Sequence, residues 1–193
     1  MRHFVYFSAS ASTSGKALAS GDLMKAGRID IAIHSFIQAV FLSHDTRDDV
    51  IFHFLFYGMP DPPKHIEIKI NPELNISKKD IGNLLKKILY KYKEGEKTEV
   101  FPGCFIEKKS FEKIIFELSK ESEIFILDKK GKDLRKAKIS KNSVFVIGDQ
   151  EGFPKKEIKR LKKISELVSI GNKMYFASQT VAVINNELDY RGL

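Results

Sequence analysis

Two short apolar runs, each cut off by a glycine and each followed by a helical stretch, fill the last fifty residues and restrict the fold more than any other segment. Val144–Ile147 is apolar and mostly β-branched and stops at Gly148-Asp149, the pattern of a buried strand. Gly148 and Gly152 bracket an acidic loop, and Pro154 suits a helix start because its missing N–H would have no partner there. Ile158 and Leu161 give that helix an apolar side, with lysines opposite. A second strand, Leu167–Ile170, stops at Gly171, and Ser178 can cap a helix running through Val181 and Ile184 to Leu188. Strand, glycine turn and helix, twice over, predict an α/β fold with a parallel sheet, and such sheets take ligands at the carboxyl ends of their strands. The two glycine loops are therefore the first candidate site.

The rest of the chain continues the alternation. His3–Phe7 reads as a strand, and Ser8–Gly21, rich in Ser, Ala and Gly, as a mobile connection. Apolar residues recur every three or four positions from Ile29 to Phe41, which predicts an amphipathic helix over Ile29–Ser43. Val50–Tyr57 has the β-branched and aromatic density of a central strand, and Pro60, Pro62 and Pro63 force a turn before a half-exposed strand at Ile66–Ile70. Asn75 or Ser77 can start a helix carrying Ile81 to Leu89, Lys91–Glu99 reads as a charged connection, and Ser110 can cap a helix through Leu118. Ile124–Leu127 is a further strand, ending at Asp128-Lys-Lys-Gly131. No linker is long enough to separate two domains, so residues 1–193 read as one α/β domain with helices on both faces of the sheet.

What is missing narrows the chemistry. The single cysteine, Cys104, excludes an internal disulfide and a cysteine-rich zinc site, and the five histidines lack metal-motif spacing, so no metal is expected. No apolar run is long enough to span a bilayer or serve as a secretory signal, which makes a cytoplasmic address the default. There is no G-x-G-x-x-G, no phosphate-cradle G-x-x-x-x-G-K, no G-x-S-x-G and no H-E-x-x-H. The net charge of +8 arises entirely beyond residue 60, much of it as lysine pairs such as Lys129-Lys130 and Lys155-Lys156. A polyanionic partner and a solvated Lys/Glu surface account for it equally well. Gly21–Asp30 places Asp22, Arg28 and Asp30 around a helix start, where the positive end of the helix favours anions. Either carboxylate alone could be a helix cap; Arg28 between them makes a recognition cluster the sharper reading.

The loops also match a known pattern. Ile147-Gly-Asp-Gln-Glu-Gly-Phe153, then Ser169-Ile-Gly171, then Ala177-Ser-Gln-Thr180 and Asn186-Glu-Leu-Asp189 resemble the second and third motifs of the SPOUT class of methyltransferases. Gly27-Arg-Ile-Asp30, Phe41-Leu-Ser-His-Asp-Thr-Arg47 and Leu55-Phe-Tyr-Gly-Met-Pro-Asp-Pro-Pro63 narrow the resemblance to the archaeal TrmY family, with the ribosomal-RNA Nep1 family more distant. The resemblance implies a SPOUT-type fold with a C-terminal trefoil knot, S-adenosylmethionine as cofactor, a homodimer, and N1-methylation of pseudouridine at position 54 in the T-loop of tRNA. Nep1-like methylation of small-subunit rRNA is the alternative, and a basic RNA-binding module without catalysis is the third reading.

Carried over residue by residue, the resemblance assigns Leu127, Gly148, Ser169, Ile170, Gly171, Asn172, Lys173, Met174, Ala177 and Thr180 to the cofactor, and Arg28 and Arg47 to the substrate. N1 of pseudouridine is an imide-like N–H and needs a carboxylate to accept or orient its proton, for which Asp30 is the first candidate and Asp22 the second. The chain departs from the family at Gln179-Thr180, where relatives often carry His-Cys, and at Asp22-Leu-Met-Lys25 in place of Asp-Leu-Pro-Gly. With Cys104 in another segment, a cysteine nucleophile is not expected.

Overall fold

The computed structural model describes residues 1–193. Eight strands form one sheet: β1 (Arg2–Ser8), β2 (Val50–Phe56), β3 (Lys64–Lys69), β4 (Thr98–Phe101), β5 (Cys104–Glu107), β6 (Glu123–Asp133), β7 (Ser143–Gly148) and β8 (Ser165–Ser169). Five helices connect them: α1 (Ile29–Val40), α2 (Ile81–Tyr90), α3 (Phe111–Leu118), α4 (Lys155–Leu161) and α5 (Ala177–Arg191). The spatial order is β4-β5-β3-β2-β1-β7-β6-β8. No helix is long and apolar enough to cross a membrane.

The sheet is mixed, which corrects the expectation of a parallel one. β2, β1, β7, β6 and β8 run parallel, but β3, β5 and β4 join antiparallel. The reason lies in the connections. Residues 57–63 are too few for the crossover that a parallel pair requires, so β2 and β3 close as a hairpin. Gly103, at φ 76°, turns β4 into β5 just as tightly.

β1 is the central strand, and its alternation divides the core. Phe4 and Tyr6 face the side covered by α1, α2 and α5, with Phe36, Phe52 and Ile184 around them. Val5 and Phe7 face α3 and α4, with Phe111, Ile114 and Leu161. Helices thus cover both faces, as anticipated. On the Val5 face a line of polar side chains crosses four strands: His3 Nδ1 lies 3.2 Å from His53 Nε2, His53 Nδ1 3.0 Å from His65 Nε2, and His65 Nδ1 2.9 Å from Glu107 Oε1. Lys109 Nζ, 2.9 Å from Glu107, ends the line. Each ring nitrogen along it can pair, so three histidines are packed without an orphan.

Three other expectations are revised. Ser8–Gly21 is packed rather than mobile: Ala11, Ser12 and Thr13 are buried, Ser8 Oγ accepts the Ala11 N–H at 3.0 Å, and Thr13 Oγ1 donates to the Gly58 carbonyl at 2.9 Å. Hydroxyls there do the work that a regular element would do for the backbone. The charged connection stops at Lys97, and edge strand β4 begins at Thr98. The Ile66–Ile70 stretch, by contrast, alternates as expected, with Ile66, Ile68 and Ile70 buried, Glu67 partly exposed and Lys69 exposed. Finally, α5 begins at Ala177 and is not capped by Ser178; Gln179 Oε1 accepts the Phe176 N–H at 3.0 Å, and Thr180 Oγ1 donates to the Phe176 carbonyl at 3.1 Å. The Gln179-Thr180 departure therefore has a local role in starting this helix.

Candidate active site

The carboxyl ends of β1, β7, β6 and β8 bring most of the candidate residues together. At β1, Tyr6 is buried beneath the start of α1, and its hydroxyl has no hydrogen-bond partner. Burial, reinforced by the charges of Asp149 and Asp30, raises its pKa, so it stays a neutral phenol. Just beyond β7, the Asp149 N–H donates to the Phe7 carbonyl at 3.0 Å, and Asp149 Oδ1 accepts the Glu151 N–H at 2.8 Å. Its other oxygen, Oδ2, is buried and unpaired. Two adjacent strands therefore end in polar atoms with nothing to bond, and such atoms are rare unless something else completes them.

Arg28 and Asp30 stand over this point. Arg28 precedes α1 in the left-handed region (φ 61°, ψ 37°), an uncommon conformation for a residue with a side chain. The corner is held by Gly27 (φ 77°), where a Cβ would lie 1.8 Å from the Ser10 carbonyl oxygen. So turned, Arg28 donates from Nε and Nη2 to Asp30 Oδ1 and Oδ2, both at 3.0 Å. These hydrogen bonds, with the guanidinium charge, hold the Asp30 carboxyl below the usual carboxylate range.

The glycine loops lie alongside. A Cβ on Gly148 would sit 3.1 Å from Gly152 Cα and 3.2 Å from its carbonyl carbon, so the first loop folds back on itself with bare backbone. After β8, Ser169 Oγ accepts the Gly171 N–H at 3.2 Å and donates to the Gly171 carbonyl at 2.8 Å, fixing a turn in which Gly171 has φ 150°. Asn172, Lys173 and Met174 continue this loop exposed, while Ala177 and Thr180 are buried at the start of α5. Leu127 in β6 pairs with Val168 and backs the same loop, and Ile170 packs against the core from it. Three neighbouring strand ends with bare main chain between them fit a nucleoside-type cofactor read through backbone groups.

Two expected members are elsewhere. Asp22 Oδ1 accepts the Lys25 N–H at 3.2 Å, and Asp22 pairs with Lys25 Nζ at 3.1 Å, so it closes its own turn. Arg47 is held at the far end of α1, with its N–H on the Val40 carbonyl and its guanidinium on Asp189 at 2.8 and 2.5 Å. α1 is 12 residues long, which puts roughly 18 Å between its ends and keeps Arg47 from Arg28 within one chain. Conversely, Tyr6 and Asp149 escaped the sequence reading. Tyr6 looks like any core aromatic in a strand, and Asp149 like a turn residue; only its place after a strand-ending glycine hinted at more.

Comparison with known proteins decides the chemistry. Residues 1–193 match the family described as "Putative SAM-dependent RNA methyltransferase". The chain belongs to this family. Membership makes it an S-adenosylmethionine-dependent RNA methyltransferase. A Vibrio campbellii protein described as a "Putative pseudouridine methyltransferase" is 33% identical, covering 99% of both chains. The tRNA (pseudouridine(54)-N(1))-methyltransferase of Thermococcus kodakarensis is 35% identical, covering 84% of this chain and 86% of its own. Among solved structures, Archaeoglobus fulgidus Nep1 bound to S-adenosylhomocysteine shares the fold, with TM-score 0.64 over 99% of both chains at 14% identity.

Proposed function

We propose that this chain methylates N1 of pseudouridine at position 54 of tRNA. The observation that carries the reading is the set of Tyr6, Arg28, Asp30 and Asp149 gathered beside the glycine loops, in a chain 35% identical to an enzyme named for that reaction. Bound S-adenosylmethionine supplies an electrophilic methyl on a sulfonium. Gly148, Leu127, the Ser169–Met174 loop, Ala177 and Thr180 would hold it, mainly through backbone groups, beside Tyr6 and Asp30. The chain's task is then to place the acceptor nitrogen in line and relieve it of its proton.

Arg28 leaves Asp30 for an RNA phosphate or base edge when the substrate enters, a use suited to its planar guanidinium. The freed Asp30 carboxylate accepts the N1 proton, and its pKa rises toward the ordinary value as the ion pair opens. Asp149 Oδ2 and the Tyr6 hydroxyl, unpaired in the free protein, complete an acceptor and a donor for the uracil edge. Asp22 is the reserve candidate for the proton, and Arg47 holds RNA from outside this cluster, contributed across a homodimer.

The same reading makes residues 1–193 a single SPOUT methyltransferase domain acting as a cytoplasmic homodimer, with the chain from β6 onward closed as a trefoil knot. Two features support the knot. Gly131 is pressed against the Val168 backbone, where a Cβ would meet it at 2.5 Å, and Arg191 of α5 binds the carbonyls of Leu134, Arg135 and Ala137. The C-terminal helix is thereby fastened to the loop that follows β6. Val181, Ile184 and Leu188 are consumed within the chain, so the dimer surface draws on the exposed Met174, Phe176 and Tyr190.

The test is methyl transfer to transcripts carrying pseudouridine, one tRNA and one small-subunit rRNA helix. Transfer to N1 at position 54 of the tRNA is expected. Preference for the rRNA helix overturns the substrate, and failure to bind S-adenosylhomocysteine in calorimetry overturns catalysis.

A further inference from the structure

The C-terminal half of the sheet carries a feature that neither the cofactor nor the base requires. At Leu127, β6 pairs with Val168; it then makes an excursion and returns to pair Lys132 with Val168 and Asp133 with Ser169. Between residues 128 and 138 lie Lys129, Lys130, Lys132, Arg135, Lys136 and Lys138 against only Asp128 and Asp133. All six cations are exposed. Both acids are engaged locally: Asp128 accepts the Lys130 N–H at 2.7 Å and Asp133 the Arg135 N–H at 3.0 Å. Lys132 pairs with Glu166 at 3.3 Å and Arg135 with Asp133 at 3.7 Å, leaving the other four lysines without a carboxylate partner.

This lobe is rigid, which an idle charged loop has no need to be. Leu134 and Ala137 anchor it in the core. Arg191, itself fixed by Glu187 at 2.8 Å, clamps the Leu134, Arg135 and Ala137 carbonyls at 3.2, 2.8 and 2.9 Å. No large apolar side chain is exposed between Phe116 and Ile164, so the lobe lacks the apolar centre of a protein interface or a membrane contact. It is also close to the chemistry. Only β7 separates β6 from β1, so Leu127, where the excursion begins, lies about 10 Å across the sheet from Tyr6.

We infer that residues 128–138 form a docking platform for the RNA backbone, gripping phosphates within a few nucleotides of the target base. The inference rests on RNA methyl transfer as the activity. Phosphate contacts of this kind set register without reading sequence, and each one released makes binding less sensitive to salt.

The test compares two quadruple variants of equal charge change: Lys129, Lys130, Lys136 and Lys138 to Ser in the lobe, and Lys155, Lys156, Lys159 and Lys162 to Ser around α4. Binding of unmodified tRNA is followed from 50 to 300 mM salt, with S-adenosylhomocysteine calorimetry and melting curves as checks on the fold. For the lobe variant the log–log salt slope should become shallower by about 2–3, with unchanged cofactor affinity, because each single-strand phosphate contact contributes about 0.7. The α4 variant should move it by less than about 1. Equal changes in both, or a lobe variant that binds as the unaltered protein does, overturn the platform. Loss of methyl transfer in the unaltered protein overturns the activity instead, and is read independently of binding.

Discussion

Replacing Asp30 with Asn separates a chemical role from a structural one, because the structure fixes what each would lose. Asp30 lies in the first turn of α1, about one-fifth exposed, with both oxygens on Arg28. Asn keeps the shape and one acceptor but loses the charge. A carboxylate at a helix N-terminus contributes about 0.3–1 kcal/mol. For a chain of this length that is a fall in Tm of roughly 1–4 °C. A positioned proton acceptor contributes about 10²- to 10⁴-fold in rate, equivalent to roughly 3–5 kcal/mol of barrier. Melting curves and single-turnover methyl transfer, at saturating S-adenosylmethionine and tRNA, should therefore show a small loss of stability beside a large loss of rate. The pH dependence adds a second check. Arg28 depresses the Asp30 pKa, so this residue's stabilisation is complete above the usual carboxylate pKa of about 3.9 and is lost as pH falls through the depressed value. The stability gap between the two proteins should accordingly close in acid. A variant that melts lower yet transfers methyl at the normal rate would refute the role, and would pass it to Asp22, the reserve candidate.

Gly148→Val and Gly171→Val should each abolish S-adenosylhomocysteine binding in calorimetry, the first by driving a side chain into the Gly152 backbone, the second by forcing a strained φ; normal binding by both folded variants would put the cofactor elsewhere. Acid should weaken the fold through His3, whose pKa burial and the nearby N-terminal ammonium lower to about 4 from 6.5. The unfolded chain takes up that proton first, so stability is full above pH 6.5 and falls between there and 4, by about 2–3 kcal/mol. His3→Gln should flatten this fall in urea titrations at pH 7 and 5, and an unchanged slope would remove His3 from the account. Met174→Glu with Phe176→Glu should convert a homodimer to monomer in light scattering, since both side chains are exposed apolar surface just before α5; an unaltered protein that is already monomeric at micromolar concentration refutes the dimer.

What could be read from the sequence was whatever repeats at a structural period. β1, α1, β2, β7 and α5 declared themselves through apolar alternation or 3.6-residue recurrence, and glycines marked the ends of β7 and β8. β4 did not, because Thr98-Glu-Val-Phe101 is a short edge strand at the end of a Lys/Glu-rich stretch and none of its residues is buried. The pairing of β5 along the second edge of β3 is likewise something no local pattern announces. The histidine line was invisible for the same reason: residues 3, 53 and 65 meet only through strand register. Arg47 is a further case: nothing in its stretch tells that its guanidinium is held by Asp189.

The central position of β1 has a consequence for how the protein is made. Its first partner, β2, is complete by Phe56, but its second, β7, starts only at Ser143. At a synthesis rate of 5–20 residues per second, a strand with six of its seven residues buried waits roughly 5–20 s with one edge open. Throughout that interval its unpaired amides and carbonyls face solvent or a neighbouring nascent chain, on a ribosome that has not yet supplied their partner. β1 is thus made early and sealed late, and its open edge needs a shield during translation.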